Sequence, residues 1–201
     1  MFSIKWSFFN KDNLPKFFEN HFMVMLIVYV FSLLLMRNTT ISPVVTIVSI
    51  FFLFFYSYFI HMIIHKIPKE YNPHILFHHG DNKNDYWFNW IIETIINVMF
   101  FLTLYLINVF LNLRIPNILI LYYGMIYVSV HVINYSIFHF GGNHANHHSD
   151  PIQKCNFGPD TFDHFFNTNC NSNYENFIHM LTNILCAFLI IEYIKYKKRC
   201  E

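Results

Sequence analysis

The stretch HMIIHKIPKEYNPHILFHH, residues 61–79, sets five imidazoles directly behind a long oily run. His61 and His65 stand four apart, as do His74 and His78, so on a helix each pair projects from one face. The run before them, 44–60, is almost wholly apolar and continues through His61 to Ile64. The first pair therefore reads as the end of a membrane span, not as part of a soluble helix. His79 closes the stretch, and a third group, HANHH, brings His144, His147 and His148. Neutral imidazole is the commonest metal ligand, and eight such rings exceed what one ion takes. The pattern predicts two metal ions in a shared, nitrogen-rich site. Structural zinc fits it poorly, because that site takes four ligands with cysteine prominent.

Composition agrees with a membrane setting. The 201 residues are 55% hydrophobic and 12% charged, whereas a soluble domain carries roughly 25% charged residues. The net charge of +1 and the lack of a basic stripe give no reason to expect nucleic acid. Further apolar runs occupy 22–36, 90–113 and 115–137, and the last two are long enough to span. Arg114 and Pro116 mark a tight turn between them, since proline cannot continue a helix interior. The run 22–36 is short and lacks a small-residue cleavage site, so it reads as a span and not a leader. A fifth run, 177–191, is borderline. Cys155, Cys170, Cys186 and Cys200 form no CxxC pair and read as ordinary reduced thiols.

Lysine and arginine collect on the cytoplasmic side of short loops. If 22–36, 44–60, 90–113 and 115–137 span and 177–191 does not, the thirteen basic residues divide eleven inside and two outside, Arg37 and Arg114. If 177–191 also crosses, the division falls to seven against six. The first arrangement is the expectation: an all-α integral membrane protein with four transmembrane helices in two hairpins. A histidine-lined dimetal cap faces the cytoplasm, and a C-terminal interfacial helix lies on the same face. The whole chain, 1–201, is then one membrane-embedded domain. It comprises a cytoplasmic segment 1–21, the histidine groups and the tail after them at 61–168, and a C-terminal helix and basic tail at 177–201. This topology delivers every histidine group to one face.

The order HxxxH, HxxxHH, HxxHH, interleaved with two membrane hairpins, resembles the fatty acid hydroxylase and sterol desaturase superfamily. The tail NFGPDTFDHFFNT, 156–168, resembles that family's Asn-Tyr/Phe-Gly stretch followed by Trp-Asp and Phe-Gly-Thr. The chain departs from the pattern at Met62, where the family often has Arg, at Phe162 for Trp, and at Asn167 for Gly. The related acyl-lipid desaturases space their first two boxes more widely than the eight residues between His65 and His74.

The resemblance implies an O2-dependent diiron lipid hydroxylase or desaturase of lipid biosynthesis. Two Fe ions would be held by His61, His65, His74, His78, His79, His131, His144, His147 and His148. It also implies a membrane lipid substrate (sterol, fatty acyl or sphingoid), an external membrane cytochrome with an NAD(P)H reductase, and an endoplasmic reticulum location. Alternatives are an acyl-lipid desaturase and a non-catalytic metal-binding scaffold relative. Asp160 and Asp163 are candidates to accept the outer N–H of metal-bound imidazoles. Whether His139 or His164 joins the ligands stays open, and His21 and His179 read as interfacial or hydrogen-bonded groups. The ending Lys197-Lys198-Arg199-Cys200-Glu201 loosely resembles a dilysine retrieval signal. Asn38-Thr39-Thr40 is a sequon on the predicted far side, too close to the membrane for modification.

Overall fold

The computed structural model describes residues 13–79, 87–149, 155–170, 175 and 177–200. Every regular element among them is helical. α1 (Asn13–Phe17) runs through a π-helical turn, Phe18–Phe22, into α2 (Met23–Met36). α3 (Pro43–Ile64) follows, then α4 (Pro73–His78) and α5 (Trp87–Leu111). α6 (Asn117–Ser129) continues as a π-helical segment, Val130–Ile137. α7 (Gly142–Ser149), α8 (Asp160–Phe166) and α9 (Leu181–Cys200) complete the order.

Local chemistry starts and stops these helices. Ser42 caps α3, its hydroxyl accepting from Val45 N at 3.3 Å, with Pro43 in the first turn where a missing N–H costs nothing. Asn72 caps α4 in the same way, accepting from Ile75 N at 3.3 Å ahead of Pro73. The turn expected at Arg114 and Pro116 is present. Asn108 ties it down, donating to Ile115 O at 2.9 Å and accepting from Ile115 N at 3.1 Å.

Among the described residues, four helices are long and apolar enough to cross a membrane: Pro43–Ile64, Trp87–Leu111, Asn117–Ile137 and Phe177–Lys198. Their outward residues, among them Val44, Phe110, Trp87 and Leu189, are exposed and apolar, a surface suited to lipid. Between apolar helices in lipid, close packing and polar bridges hold where water would otherwise drive association. Tyr123 pairs with Ser57 at 3.0 Å across α3 and α6. Tyr56 donates to Phe100 O at 2.8 Å across α3 and α5. Gly124 lets α6 approach α5 closely, since a Cβ there would meet the Phe101 ring at 3.0 Å.

One expectation is corrected. α9 is not an interfacial helix on the histidine face. Its start lies at that end of the bundle, where Asn134 donates to His179 O at 3.0 Å. Its far end reaches the α2–α3 loop, where Lys195 donates to Leu35 O at 2.8 Å and Glu192 bridges Arg37 at 2.8 Å. α9 therefore traverses the full depth of the bundle, while Met23–Met36 is the short apolar helix. With α2 crossing as well as α9, the basic residues divide seven to six by chain order, and the charge rule no longer selects a face. Of these, Lys5, Lys11, Lys83 and Lys154 lie outside the described residues. The sequon at Asn38 and the basic tail share one end of the bundle. Modification of the first and cytosolic reading of the second exclude each other.

Candidate metal centre

Helix ends bring three separated histidine groups together. His61 occupies the last turn of α3 and His65 its C-cap, His74 lies in α4 with His79 just past it, and His147 lies in α7. The Nε2 atoms of His61, His65 and His74 form a triangle with every edge 3.2 Å, and His147 Nε2 lies 3.1 Å from that of His65. His79 belongs to the same group: ligand atoms of His61, His65, His79 and His147 all fall within 4.8 Å of one another. Donors on one ion at about 2.0–2.1 Å are spaced about 2.9 Å in octahedral and about 3.4 Å in tetrahedral geometry. The observed edges sit between these values.

Proton counting shows that the rings are not merely hydrogen-bonded to one another. His61 Nδ1 lies 2.6 Å from Phe157 O, and His147 Nδ1 lies 2.5 Å from Cys155 O. A carbonyl only accepts, so each of these rings carries its proton on Nδ1 and presents a bare Nε2 lone pair. Neutral His65 and His74 can then supply at most one Nε2 proton each to four Nε2–Nε2 contacts. At least two of the four contacts therefore lack a hydrogen bond of their own. Protonating the buried rings instead would crowd cations together without counter-charge. A bound cation removes the conflict, and the Nδ1-to-carbonyl bonds are those that hold ligating imidazoles in place.

A second set lies beside the first. His144 and His148 bring their Nε2 atoms to 2.9 Å, and His148 stacks on His79 with centroids 4.3 Å apart. His131, on the π-helical continuation of α6, packs 5.1 Å from His144 and 5.9 Å from His61. Tyr127 stacks on His131 at 4.4 Å and Tyr135 on His144 at 4.1 Å. Gly141 (φ 91°) allows this packing, because a Cβ would fall 2.6 Å from the Tyr135 ring. A mostly apolar cavity of about 90 Å³ opens here. His131 and His144 form one wall, and Met25, Val28, Phe54 and Ile126 form others. Phe54 alone of the aromatic stretch 51–55 lines it among the described residues, while Phe51 is exposed.

The histidines expected to converge do so, apart from His78, whose side chain lies outside the described residues. His139 is exposed on the loop after the π segment, and His164 is buried in α8. The two aspartates act differently from expectation, because carbonyls and not carboxylates receive the imidazole protons of His61 and His147. Asp163 lies one bond further out: it accepts from Phe157 N at 3.0 Å, Gly158 N at 2.6 Å and Thr168 Oγ1 at 2.7 Å, fixing the Phe157 peptide. Burial pushes its carboxyl well above the usual range and Asp160 adds to this, while those three donors pull the other way. Asp160 accepts from Asn143 at 2.6 Å and Glu175 N at 2.8 Å, and meets His21 at 3.7 Å.

Two of the three residues that depart from the resembled pattern have a local structural account. Asn167 sits in the left-handed region (φ 58°, ψ 41°) at the end of α8, a position glycine favours and asparagine tolerates. Phe162 is buried among Phe51, Phe55 and Tyr58. Cys155 and Cys170, expected as separate thiols, are joined as a disulfide. His21, expected as an interfacial or hydrogen-bonded group, bonds Thr161 at 2.9 Å and also lines the cavity. One further buried group was not anticipated: Glu93 in α5 accepts from Ser136 Oγ at 2.6 Å, beside the segment carrying His131. Glu93 did have a signal, as the one charged residue inside the run 90–113.

No family model matches the chain, and neither a curated protein nor a solved structure does.

Proposed function

We propose that the chain is a membrane oxidoreductase holding two iron ions, one in each imidazole set, that uses O2 to hydroxylate or desaturate a lipid C–H bond. The observation that carries the reading is the Nε2 cluster of His61, His65, His74 and His147, which cannot be satisfied by its own protons. His79 bridges it to His144 and His148. His131 takes part through the same second set. The choice of iron rests on the resemblance of the boxes and tail, since imidazole also suits zinc, copper and nickel.

Bound iron would supply O2 reduction and the oxidising power for the C–H bond. The chain's own residues do the rest. Phe157 O and Cys155 O hold two rings in the tautomer that aims Nε2 inward. Tyr127 and Tyr135 fix the ring planes of His131 and His144. The apolar cavity seats an alkyl segment against those rings and excludes water from it. Electrons come from an external membrane cytochrome and its NAD(P)H reductase. Residence in the endoplasmic reticulum with the histidine end toward the cytoplasm belongs to the same proposal and rests on the resemblance.

The test uses the full chain purified in detergent. The expected result is about two irons per chain and O2-dependent conversion of lipid in the presence of a reductant. Iron retention without turnover would favour a metal-binding scaffold, and absence of metal would end the proposal.

A further inference from the structure

The apolar cavity beside His131 and His144 has a polar end of its own. His21, Asp160, Thr161 and Glu175 line it at the histidine end of the bundle. Met25 and Val28 follow His21 along the chain into α2, so Val28 lies about 10 Å deeper at 1.5 Å per residue. Ile126 on α6 and Ile184 on α9 likewise lie on the spanning side of His131 and Phe177. The cavity is thus polar at the histidine end and apolar below it. The polar end is rich in acceptors. The Asp160 and Glu175 side chains are only 6% and 8% exposed. Among the described residues, the polar contacts of Asp160 all fall on Oδ2: Asn143 Nδ2 at 2.6 Å, Glu175 N at 2.8 Å and His21 Nε2 at 3.7 Å. Glu175 Oε1 is buried without a hydrogen bond, His179 Nε2 standing 3.5 Å away. Oxygens so placed in an apolar cavity cost free energy until a polar partner reaches them. Burial pushes the Glu175 carboxyl up, and Asp160 adds to this against His179 and the Asn143 amide, so Glu175 can hold a proton beside Asp160.

We propose that this cavity receives a lipid alcohol, its hydroxyl held between Asp160 and Glu175 and its apolar body against Met25, Val28, Phe54, Ile126 and Ile184. The inference rests on the reading of the cavity as the lipid's seat, and it narrows the substrate class. A hydroxyl both donates and accepts, so it donates to Asp160 and accepts from protonated Glu175. A methyl ether has no proton to give Asp160. A free carboxylate brings a third carboxyl to a site that already holds two, and such a juxtaposition selects against the wrong ligand. Hydroxylated lipids are therefore favoured and free fatty acids disfavoured.

The experiment uses the metal-free full-length protein in detergent and 1-hexadecanol carrying a mid-chain diazirine. Irradiation, digestion and mass spectrometry locate the label, while unlabelled 1-hexadecanol, hexadecyl methyl ether and hexadecanoate compete for the site. The expected result is label on the cavity walls, at Met25, Val28, Phe54 or Ile126. Hexadecanol should displace it at a concentration about tenfold below either of the others, the change expected for one lost buried hydrogen bond. In Asp160→Asn the amide oxygen keeps the bonds to Asn143 and Glu175 N while the amide nitrogen donates to the ligand, so the advantage of alcohol over ether should vanish. Glu175→Gln still donates and should keep it. Circular dichroism checks that both variants retain their helices, and if either does not, the wild-type series decides. Hexadecanoate or the ether competing as well as hexadecanol overturns the proposal. So does label confined to residues outside the cavity, or an alcohol preference that survives in folded Asp160→Asn. Binding is read without metal, so a bound alcohol in a protein that takes no iron or turns nothing over removes the oxidoreductase reading alone. O2-dependent lipid conversion without any alcohol preference removes this inference alone.

Discussion

Replacing His147 with alanine separates a ligand from a packed core histidine. The ring is fully buried, its Nε2 lies 3.1 Å from that of His65, and its Nδ1 proton goes to Cys155 O at 2.5 Å. Losing only the outer partner of a ligating imidazole costs about 10–100-fold in metal affinity, so losing the imidazole itself should cost at least about a hundredfold, or about 3 kcal/mol. The metal-free protein pays far less. It leaves one buried carbonyl without its donor, about 1–3 kcal/mol, and it is relieved of one of the crowded Nε2–Nε2 contacts. The signature is thus a large loss of affinity with a modest change in metal-free stability. Cobalt titration and metal analysis of the detergent-purified variant measure the first, and thermal unfolding in chelator measures the second. His179→Ala serves as the control, because that ring bonds Asn134, lies 3.5 Å from Glu175 and stands outside the cluster. Cobalt affinity within twofold of wild type in His147→Ala would refute the reasoning.

Three other outcomes are expected. In sealed vesicles, a tag after Glu201 and a protease site in the 37–42 loop should be accessible from the same side, and a site in the 66–72 loop from the other. A tag sharing its side with 66–72 would mean that α9 does not cross. Burial pushes the Glu175 carboxyl up, with Asp160 adding to it and His179 opposing. The folded state then holds that proton more tightly than the unfolded chain, so Glu175 favours folding less as pH climbs from about 4.3, its unfolded value. Glu175→Gln should flatten this part of the Tm-versus-pH curve, and curves that differ only by a constant would contradict the assignment. Gly124→Leu should force α6 from α5 against Phe101, at a cost of about 1–3 kcal/mol for an overpacked contact. An unchanged Tm would show that the two helices do not approach closely there.

The histidine groups were legible because imidazoles spaced four apart at the ends of apolar runs carry a geometric meaning that survives folding. His61 at the end of α3, His74 in α4 and His147 in α7 lie where that spacing puts them. The α5–α6 turn was legible for a similar reason, since Pro116 leaves the chain little choice. The course of α9 was hidden. Glu192, Lys195, Lys197 and Lys198 shorten its apolar run on paper, yet Glu192 is met by Arg37 and Lys195 by Leu35 O, contacts that no local pattern announces. The carbonyls of Phe157 and Cys155 were equally invisible, because every residue has one and only the fold selects which are used. Asp163 was singled out as a partner for an imidazole N–H, whereas it holds the Phe157 peptide, an action that required the loop to be seen closed. Cys155 and Cys170 carry no recognisable spacing, and their pairing follows from the same closure.

The most direct test is X-ray absorption at the iron edge, with metal stoichiometry, on full-length protein loaded anaerobically with Fe(II). The expected result is about two irons per chain in a nitrogen-dominated shell near the roughly 2.1 Å typical of imidazole ligation, with multiple-scattering features of several rings. Less than one iron per chain, or a shell dominated by oxygen without imidazole scattering, would contradict the claim that these distant histidines share a metal centre.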